Sequence, residues 1–554
     1  MRFDLVLKNA NILTGDPARP RAHAMAVHNG RIVALAQASG EELSGVVERD
    51  AGGSTVVPGF HDAHCHTAWY GLSLVELRLD EPEVTSVEVV YDRVAQRARS
   101  TPKGQWIIGS GHHPRRMGGA TPTLAMLDEV APEHPVWLIA SSGHASVVNS
   151  SALSMLDLSQ LPERAQPGRD STGRFTGLLE EEAHALVLTQ ARPYTTDQIT
   201  AAVGRAHQQY LSEGITSVQE AGIGSGLVGR SAAEAQAYQQ AREQGLLRVR
   251  TTLMPAGEVL HRLDLPDSGT PSSSLDLGMR TGFGDEWLRI GPVKLFTDGS
   301  VLGRTAALKA GYPEGVHESA RIQQDQQWLR TRMIEAHCAG WQLAVHAQGD
   351  SAIDFVLDCF EEALAIQPRR DHRHRIEHCS IATVEALERI AELGVVPSPQ
   401  GRFVGLVGDG MLDLLSAEQL PNVYRAKSFL DRGITLPGSS DRPCSDGRPM
   451  RGIHDMVNRR TDSGASFNPQ EAVSVEEAIR AYTWGSAYAT FQEGSLGTLE
   501  RGKLADFVVL DDDPTVIAPE RLEDVEVLAT AVGGVFGFDP TDRFGGPRES
   551  DNRC

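Results

Sequence analysis

Phe60-His61-Asp62-Ala63-His64-Cys65-His66 is the stretch on which the fold turns. It follows an apolar run, Thr55-Val56-Val57, through Pro58-Gly59, and ends in a His-x-His pair. On an extended strand, side chains two apart share a face. His64 and His66 can therefore present both imidazoles to one metal ion, with Cys65 turned away. Neutral imidazole is the commonest protein ligand for zinc-like ions. The plainer alternative is two surface histidines in a polar loop. The preceding apolar strand and the matching ligand types downstream favour a metal site.

Working outward, apolar strand-like runs recur at 55–60, 215–219, 249–254, 290–296, 343–347, 374–378, 395–398 and 434–440. Helical patterns at 326–339, 353–365, 383–393 and 423–431 fall between them. Eight strands alternating with helices at ~30 residues per unit predict an α/β chain, a (β/α)8 TIM barrel. About 150 residues part the first strand from the second, far more than one barrel unit needs. That gap holds its own strand candidates, 106–109 and 136–140, and reads as an insertion lobe after the first barrel strand. Both chain ends are rich in short strands, with Asn29-Gly30 as a hairpin signal. The expected domains are a composite β-sandwich (1–57 plus 494–540), a metal-binding barrel (58–69 plus 201–493) and a lobe over the active site (70–200). Ser272-Ser273-Ser274 and 540–554 are expected to be mobile.

Reactive groups of such barrels sit at the carboxyl ends of strands. Those ends carry His64 and His66, Lys294, His346, His378 and Asp441. A lysine inside an apolar strand is costly to bury as a cation. Reaction with carbon dioxide would turn Lys294 into a carbamate whose two anionic oxygens can bridge two metals. A snorkelling or ion-paired lysine is the alternative. His346 or His378 alone would read as a core or loop histidine, and Asp441 alone as a turn or cap. Together the six are hard to obtain by chance.

The 554 residues carry 40% apolar and 23% charged side chains and a formal charge of −21, the profile of a globular protein without affinity for nucleic acid or anionic membranes. Arg115-Arg116 and Arg369-Arg370 are isolated basic pairs. The six cysteines form no C-x-x-C pair and read as reduced thiols. The start lacks a secretory apolar segment, and no run reaches the ~18 apolar residues of a membrane span. A cytoplasmic enzyme is expected.

The chain resembles the amidohydrolase superfamily of metal-dependent hydrolases, in the branch that includes N-substituted formamide deformylase. The resemblance rests on 57–66, on Val293-Lys294-Leu295-Phe296-Thr297-Asp298-Gly299-Ser300, on Val345-His346-Ala347-Gln348-Gly349-Asp350, on Arg375-Ile376-Glu377-His378, on Gly438-Ser439-Ser440-Asp441 and on 502–510. It implies that His64, His66 and Asp441 hold one metal. Lys294 as carbamate, His346 and His378 would hold or share a second. One or two Zn2+ ions are thus expected, and a small neutral amide, most of all an N-substituted formamide, as substrate. Asp441 would move the proton, His378 or His144 would meet the oxyanion, and His144 and His113 would contact substrate. Trp69, Tyr70 and Leu72 could receive an alkyl or aryl substituent. Family analogy favours a homodimer.

Two departures from the branch stand near the mouth: Pro399-Gln400-Gly401-Arg402-Phe403 where a histidine is common, and Arg442-Pro443 where a tryptophan is common. A heterocycle deaminase on the same barrel is a rival, weakened because Gln348 follows His346 where a proton-shuttling glutamate would be needed. A non-catalytic scaffold is the other, weakened because all six ligand positions are filled.

Overall fold

A computed structural model describes residues 2–37, 43–162, 165–229, 231–263, 273–313 and 321–545. Two four-stranded parallel sheets form its centre. In one, Leu288–Ile290, Arg250–Pro255, Ile215–Ile223 and Phe60–Cys65 lie side by side. In the other the order is Val293–Phe296, Leu343–Ala347, Arg375–His378 and Val396–Ser398. A parallel bridge between Ala256 and Lys294 joins the two sheets at one seam. The helices Gln326–Cys338, Asp350–Ile366 and Val384–Leu393 follow their strands as expected. Their apolar faces, with Leu329, Met333, Ile353, Phe360, Leu387 and Ile390, join one buried cluster with the strands.

Four expectations need correction. The run 55–60 is two strands: Thr55–Pro58 and Phe60–Cys65. Gly59 stands between them, and no larger residue fits there, since a Cβ would fall 2.2 Å from the Thr216 hydroxyl oxygen. The run 290–296 likewise splits at Gly291-Pro292, where proline has no N–H for the ladder. The run 434–440 forms no regular strand. Its polar backbone is satisfied elsewhere: the Gly438 amide donates to the Ala481 carbonyl at 2.8 Å and the Ser440 amide to Asp62 Oδ1 at 3.0 Å. It is nonetheless tied to the Phe60–Cys65 strand, for the Ala63 amide donates to Gly438 O at 2.9 Å and the Asp441 amide to His64 O at 2.7 Å. The helix expected at 423–431 is only Ala426–Leu430.

Thr55–Pro58 lies in a six-stranded sheet between Asn11–Leu13 and Phe507–Leu510, so strands from both chain ends pair directly. Phe3–Lys8, Ala24–His28, Arg31–Ala36 and Gly45–Asp50 make a second sheet. Leu5, Met25, Val56, Phe507 and Phe536 fill one core between them. Asn29 (φ 50°) and Gly30 (φ 72°) supply the left-handed pair that a tight hairpin demands. A buried bidentate ion pair, Arg250 to Asp506 at 2.6 and 2.9 Å, ties this layer to the parallel strands.

Between the first two parallel strands lies a five-stranded mixed sheet that includes the two expected strands, seen as Ile107–His112 and Val136–Ala140. The helices Thr67–Ser73 and Thr196–Ser212, which flank it in sequence, pack on each other. Ser273–Ser274 is a buried two-residue strand paired with His261–Arg262, not a mobile tract. Ser272 and 546–554 lie outside the described residues. Cys65, Cys338, Cys359, Cys379 and Cys444 are free thiols. No helix among the described residues is long and apolar enough to cross a membrane.

Behind the amino ends of the second sheet lies a chain of three buried histidines. The Leu343 amide donates to His374 Nδ1 (3.1 Å) and the His374 amide to His372 Nδ1 (2.9 Å). His374 Nε2 meets His337 Nδ1 at 2.8 Å, and His337 Nε2 donates to Gln367 O at 2.8 Å. Every link needs a neutral ring, and burial pushes all three below the usual histidine range. Their stabilising effect is therefore complete above the unfolded value near 6.5 and lost as pH falls below it, by up to about 1.4 kcal/mol per pH unit and ring. We expect the urea midpoint to fall from pH 7 to pH 5, with a shallower fall in His337→Gln; equal slopes would count against the account.

Candidate metal centre

The carboxyl ends of the parallel strands bring the sequence-predicted residues together. His64, His66, Lys294, His346, His378 and Asp441 are all buried. The ring centroids of His64 lie 5.5 Å from those of His66 and 5.0 Å from His378, and His346 and His378 are 4.4 Å apart. Lys294 Nζ is 3.4 Å from His64 Nε2. His64, His66 and Asp441 each offer a ligand atom within 4.8 Å of the others.

The outer partners of these rings define which nitrogen keeps its lone pair. Glu377 accepts a hydrogen bond from His64 Nδ1 and lies between that ring and Arg375, whose Nε and Nη2 reach it at 2.8 and 2.9 Å. Burial would raise the Glu377 carboxyl, but Arg375 and His64 override it and hold it well below the usual range. A carboxylate cannot donate, so Nδ1 carries the His64 proton and Nε2 faces inward bare. Gln400 Nε2 donates to the Ser398 carbonyl (3.0 Å) and to Ser439 Oγ (3.2 Å), which turns its Oε1 toward His378 Nδ1 at 2.7 Å. His378 is thus protonated on Nδ1, and Nε2 is a lone pair. That geometry fits a ligand and not a donor to an oxyanion. His346 Nε2 donates to Gly299 O at 3.1 Å, leaving Nδ1.

Burial pushes His64 down to about 3 and His378 to about 4, so both are neutral at physiological pH. Burial also lowers Lys294 to about 8, which leaves part of its amine unprotonated near neutrality. For Asp441 the imidazoles prevail over burial and hold the carboxyl far below its ordinary value. Two of the cluster's residues have left-handed backbones, His378 (φ 67°) and Asp441 (φ 59°). Such strain costs about 1–3 kcal/mol per residue and persists only where surroundings over-determine it.

A divalent ion fits this arrangement. His66 Nε2 and His64 Nε2 stand 3.0 and 3.4 Å from Asp441 Oδ1. Donors at ~2.0–2.1 Å from a tetrahedral zinc lie about 3.4 Å apart. His66 Nε2 is in hydrogen-bond contact with Asp441 Oδ1, whereas the bare lone pair of His64 Nε2, 3.4 Å from the same oxygen, is repelled by the buried carboxylate unless a cation stands between them.

The insertion lobe adds His144, in the turn between Val136–Ala140 and Ala145–Val148, with its ring 6.3 Å from that of His346. Glu181 accepts from His144 Nδ1 at 3.1 Å. Burial opposes the charged ring, yet Glu181, Asp441 and Asp298 raise its pKa overall. His113 is not brought to the cluster by any contact among the described residues; it precedes the short turn Pro114–Met117. Trp69 lies 5.9 Å from the His66 ring and lines a cavity of about 390 Å3 with Tyr70, Arg78, Arg442 and Asp446. Leu72 packs into the core instead. Both departures from the branch have partners here: Gln400 orients His378, and Arg442 pairs with Glu213 at 2.6 Å over the Tyr70 ring.

Sequence reasoning missed Glu377, Gln400 and Glu181 as partners of the candidate ligands. The signal for Glu377 was legible: two opposite charges, Arg375 and Glu377, stand two apart in a short strand and so share one buried face.

The Amidohydrolase family matches residues 47–537, and the chain belongs to it. N-substituted formamide deformylase of Arthrobacter pascens is 31% identical, covering 97% of this chain and 99% of that protein. Protein LONG AFTER FAR-RED 3 of Arabidopsis thaliana is also 31% identical, covering 96% and 91%. Among solved structures, an uncharacterized metal-dependent hydrolase of Pyrococcus horikoshii superposes with a TM-score of 0.74 at 26% identity, covering 93% of this chain and 99% of that one. The fold is accordingly that of a mixed α/β hydrolase of this family.

Glu377→Gln should keep the shape but weaken the hold on His64. We expect metal affinity to fall about 10–100-fold, read as metal content after dialysis against graded chelator. Glu377→Ala should in addition leave Arg375 buried without its partner, at a cost of about 3–5 kcal/mol in denaturant melts.

Proposed function

We propose that the chain is a zinc-dependent amidohydrolase that cleaves the C–N bond of a small neutral amide, an N-substituted formamide in the first instance, to formate and an amine. The observation that carries the reading is the convergence of His64 Nε2, His66 Nε2 and Asp441 Oδ1 at the spacing of one coordination sphere. The 31% identity to N-substituted formamide deformylase over nearly the whole chain supports the substrate class. In the same reading the two parallel sheets close into one (β/α)8 barrel through the Ala256–Lys294 bridge and the 434–441 segment. The terminal sheets form a composite sandwich, the protein acts in the cytoplasm, and two copies form a homodimer.

His64, His66 and Asp441 would hold one ion; His346, His378 and Lys294 would hold or share a second. A bound divalent ion lowers the pKa of water from about 15.7 to roughly 7 and polarises the carbonyl. Asp441 takes the proton of the attacking water on its carboxylate and passes it to the departing nitrogen, which could not leave as an amide anion. His144, raised in pKa and anchored by Glu181, donates a hydrogen bond to the developing oxyanion. The Lys294 amine, unprotonated in part, adds to the carbon of carbon dioxide and loses a proton, which gives a carbamate. Arg78, Arg442, Asp80 and Asp446 give the cavity beside Trp69 a polar rim, so substituents with polar ends fit it better than plain alkyl chains.

Purified protein given N-benzylformamide should release benzylamine, lose that activity in chelator and regain it with zinc. Absence of metal-dependent amine release removes the formamide reading. Asp441→Asn should lower kcat by at least about 100-fold with the metal retained or only weakened. With 13C-labelled bicarbonate, wild type should show a carbamate resonance that Lys294→Met lacks; spectra without it refute the carbamate.

A further inference from the structure

His66 differs from the other three histidines of the centre in having no partner behind it. Its Nδ1 is buried and makes no hydrogen bond. A protein nitrogen in that state costs about 1–3 kcal/mol unless something later engages it. Among the described residues, the ion-pair contact recorded for that nitrogen is with Glu220, whose Oε1 stands 4.0 Å away.

Glu220 is built into its place. It lies in the Ile215–Ile223 strand, in register with Cys65, beside the irregularity between Val218 and Glu220 that re-aims the strand. Its other oxygen, Oε2, is engaged twice: the Tyr238 hydroxyl donates to it, and so does the Ala68 amide at 3.1 Å. Tyr238 comes from the Glu234–Glu243 helix and Ala68 from the first turn of Thr67–Ser73, so two separate elements pin the carboxyl. Oε1 is the oxygen that faces His66 Nδ1. Burial raises the Glu220 carboxyl overall, although His66, Tyr238 and the Ala68 and Thr67 amides pull it part of the way back. A cation on the far nitrogen of His66 would acidify its Nδ1–H and draw it to the carboxylate.

We propose that Glu220 is a positioning residue for the metal centre: it accepts the Nδ1 proton of His66 and so aims His66 Nε2 at the ion, as Glu377 does for His64. The two histidines of the His-x-His pair are then oriented by carboxylates from two different sheets. Glu220 touches neither substrate nor ion. A gap of 4.0 Å closes to hydrogen-bond length by a small turn of the imidazole about its bonds to the backbone. The proposal rests on the metal reading above, so wild type is measured in parallel; failure of wild type to bind zinc defeats that reading and is distinct from failure of the variants to differ.

The test compares wild type with Glu220→Gln, Glu220→Ala and Tyr238→Phe. Zinc affinity is measured by competition with a chromophoric chelator, cobalt-loaded protein is examined by visible absorption, and melting is followed with and without zinc. Zinc affinity should fall about 10–100-fold in Glu220→Ala, less in Glu220→Gln and least in Tyr238→Phe. The cobalt bands should shift, and the zinc-induced rise in Tm should shrink in both Glu220 variants, whatever fall in metal-free Tm Glu220→Ala shows from the Tyr238 hydroxyl and Ala68 amide losing their acceptor. Zinc affinity within twofold of wild type in both Glu220 variants overturns the proposal. So does a lower metal-free Tm with an unchanged zinc-induced rise, the mark of a purely structural carboxylate. Should Glu220→Ala fail to fold, Glu220→Gln gives the same readouts with the side-chain shape kept.

Discussion

Glu377 is the buried charge on which the centre depends. It has no exposure to solvent, and it is shared between the Arg375 guanidinium and the His64 imidazole. Desolvating a carboxylate costs several kcal/mol, recovered only when its partners are close and correctly aimed. Arg375 meets that condition and also donates to the Ala63 carbonyl (2.7 Å) and to Gln219 Oε1 (2.5 Å). One guanidinium thus links three parallel strands beneath the metal site. Because the Glu377 end of this network holds His64, the same interaction that makes the interior tolerable also sets the direction of a candidate ligand.

The His-x-His pair and the later strand-end residues were legible because strand periodicity and strand order follow from hydrophobic pattern alone. Asn29-Gly30 was legible for a local reason, its need for positive φ. The 55–60 run was misread because Val56 and Val57 serve one sheet and Phe60 another, and pattern does not record which neighbour a strand chooses. The 434–440 segment failed differently. It is buried and extended, yet its hydrogen bonds go to Ala481 and to the side chain of Asp62, partners distant in sequence. Glu220 and Glu181 carried no local signal: a glutamate in a strand run, or one of the triplet Glu180-Glu181-Glu182, reads the same whether it is solvated or a buried partner.

The lobe has a physical reason to stand where it does. Trp69 packs so closely on Gly143 that a Cβ there would fall 2.5 Å from its ring. That contact pulls the 141–144 turn down onto the first helix after the metal-binding strand. Glu181, at φ 46°, is itself strained, and its amide bonds to the His144 carbonyl at 2.9 Å. Backbone and side chain of Glu181 therefore grip the same histidine. Leu179 and Ala183, on either side of Glu181 in sequence, are buried in one apolar cluster with Trp69.

The partners behind His64, His378 and His346 leave unshared nitrogen lone pairs in a buried cluster with the Asp441 carboxylate. The Lys294 amine, 3.4 Å from His64 Nε2, and the Cys444 thiol, which hydrogen-bonds Asp441, compensate this set only in part. An ion that binds the folded chain and not the unfolded one adds RT ln(1 + [L]/Kd), about 2.7 kcal/mol at a hundredfold excess over Kd. Ion binding and folding are therefore coupled through the same side chains. The left-handed backbones of His378 and Asp441, costly by themselves, are tolerable in a chain whose native state gains stability at that point. Strain, desolvation and ligand geometry are in this sense one balance, held at the carboxyl ends of the strands.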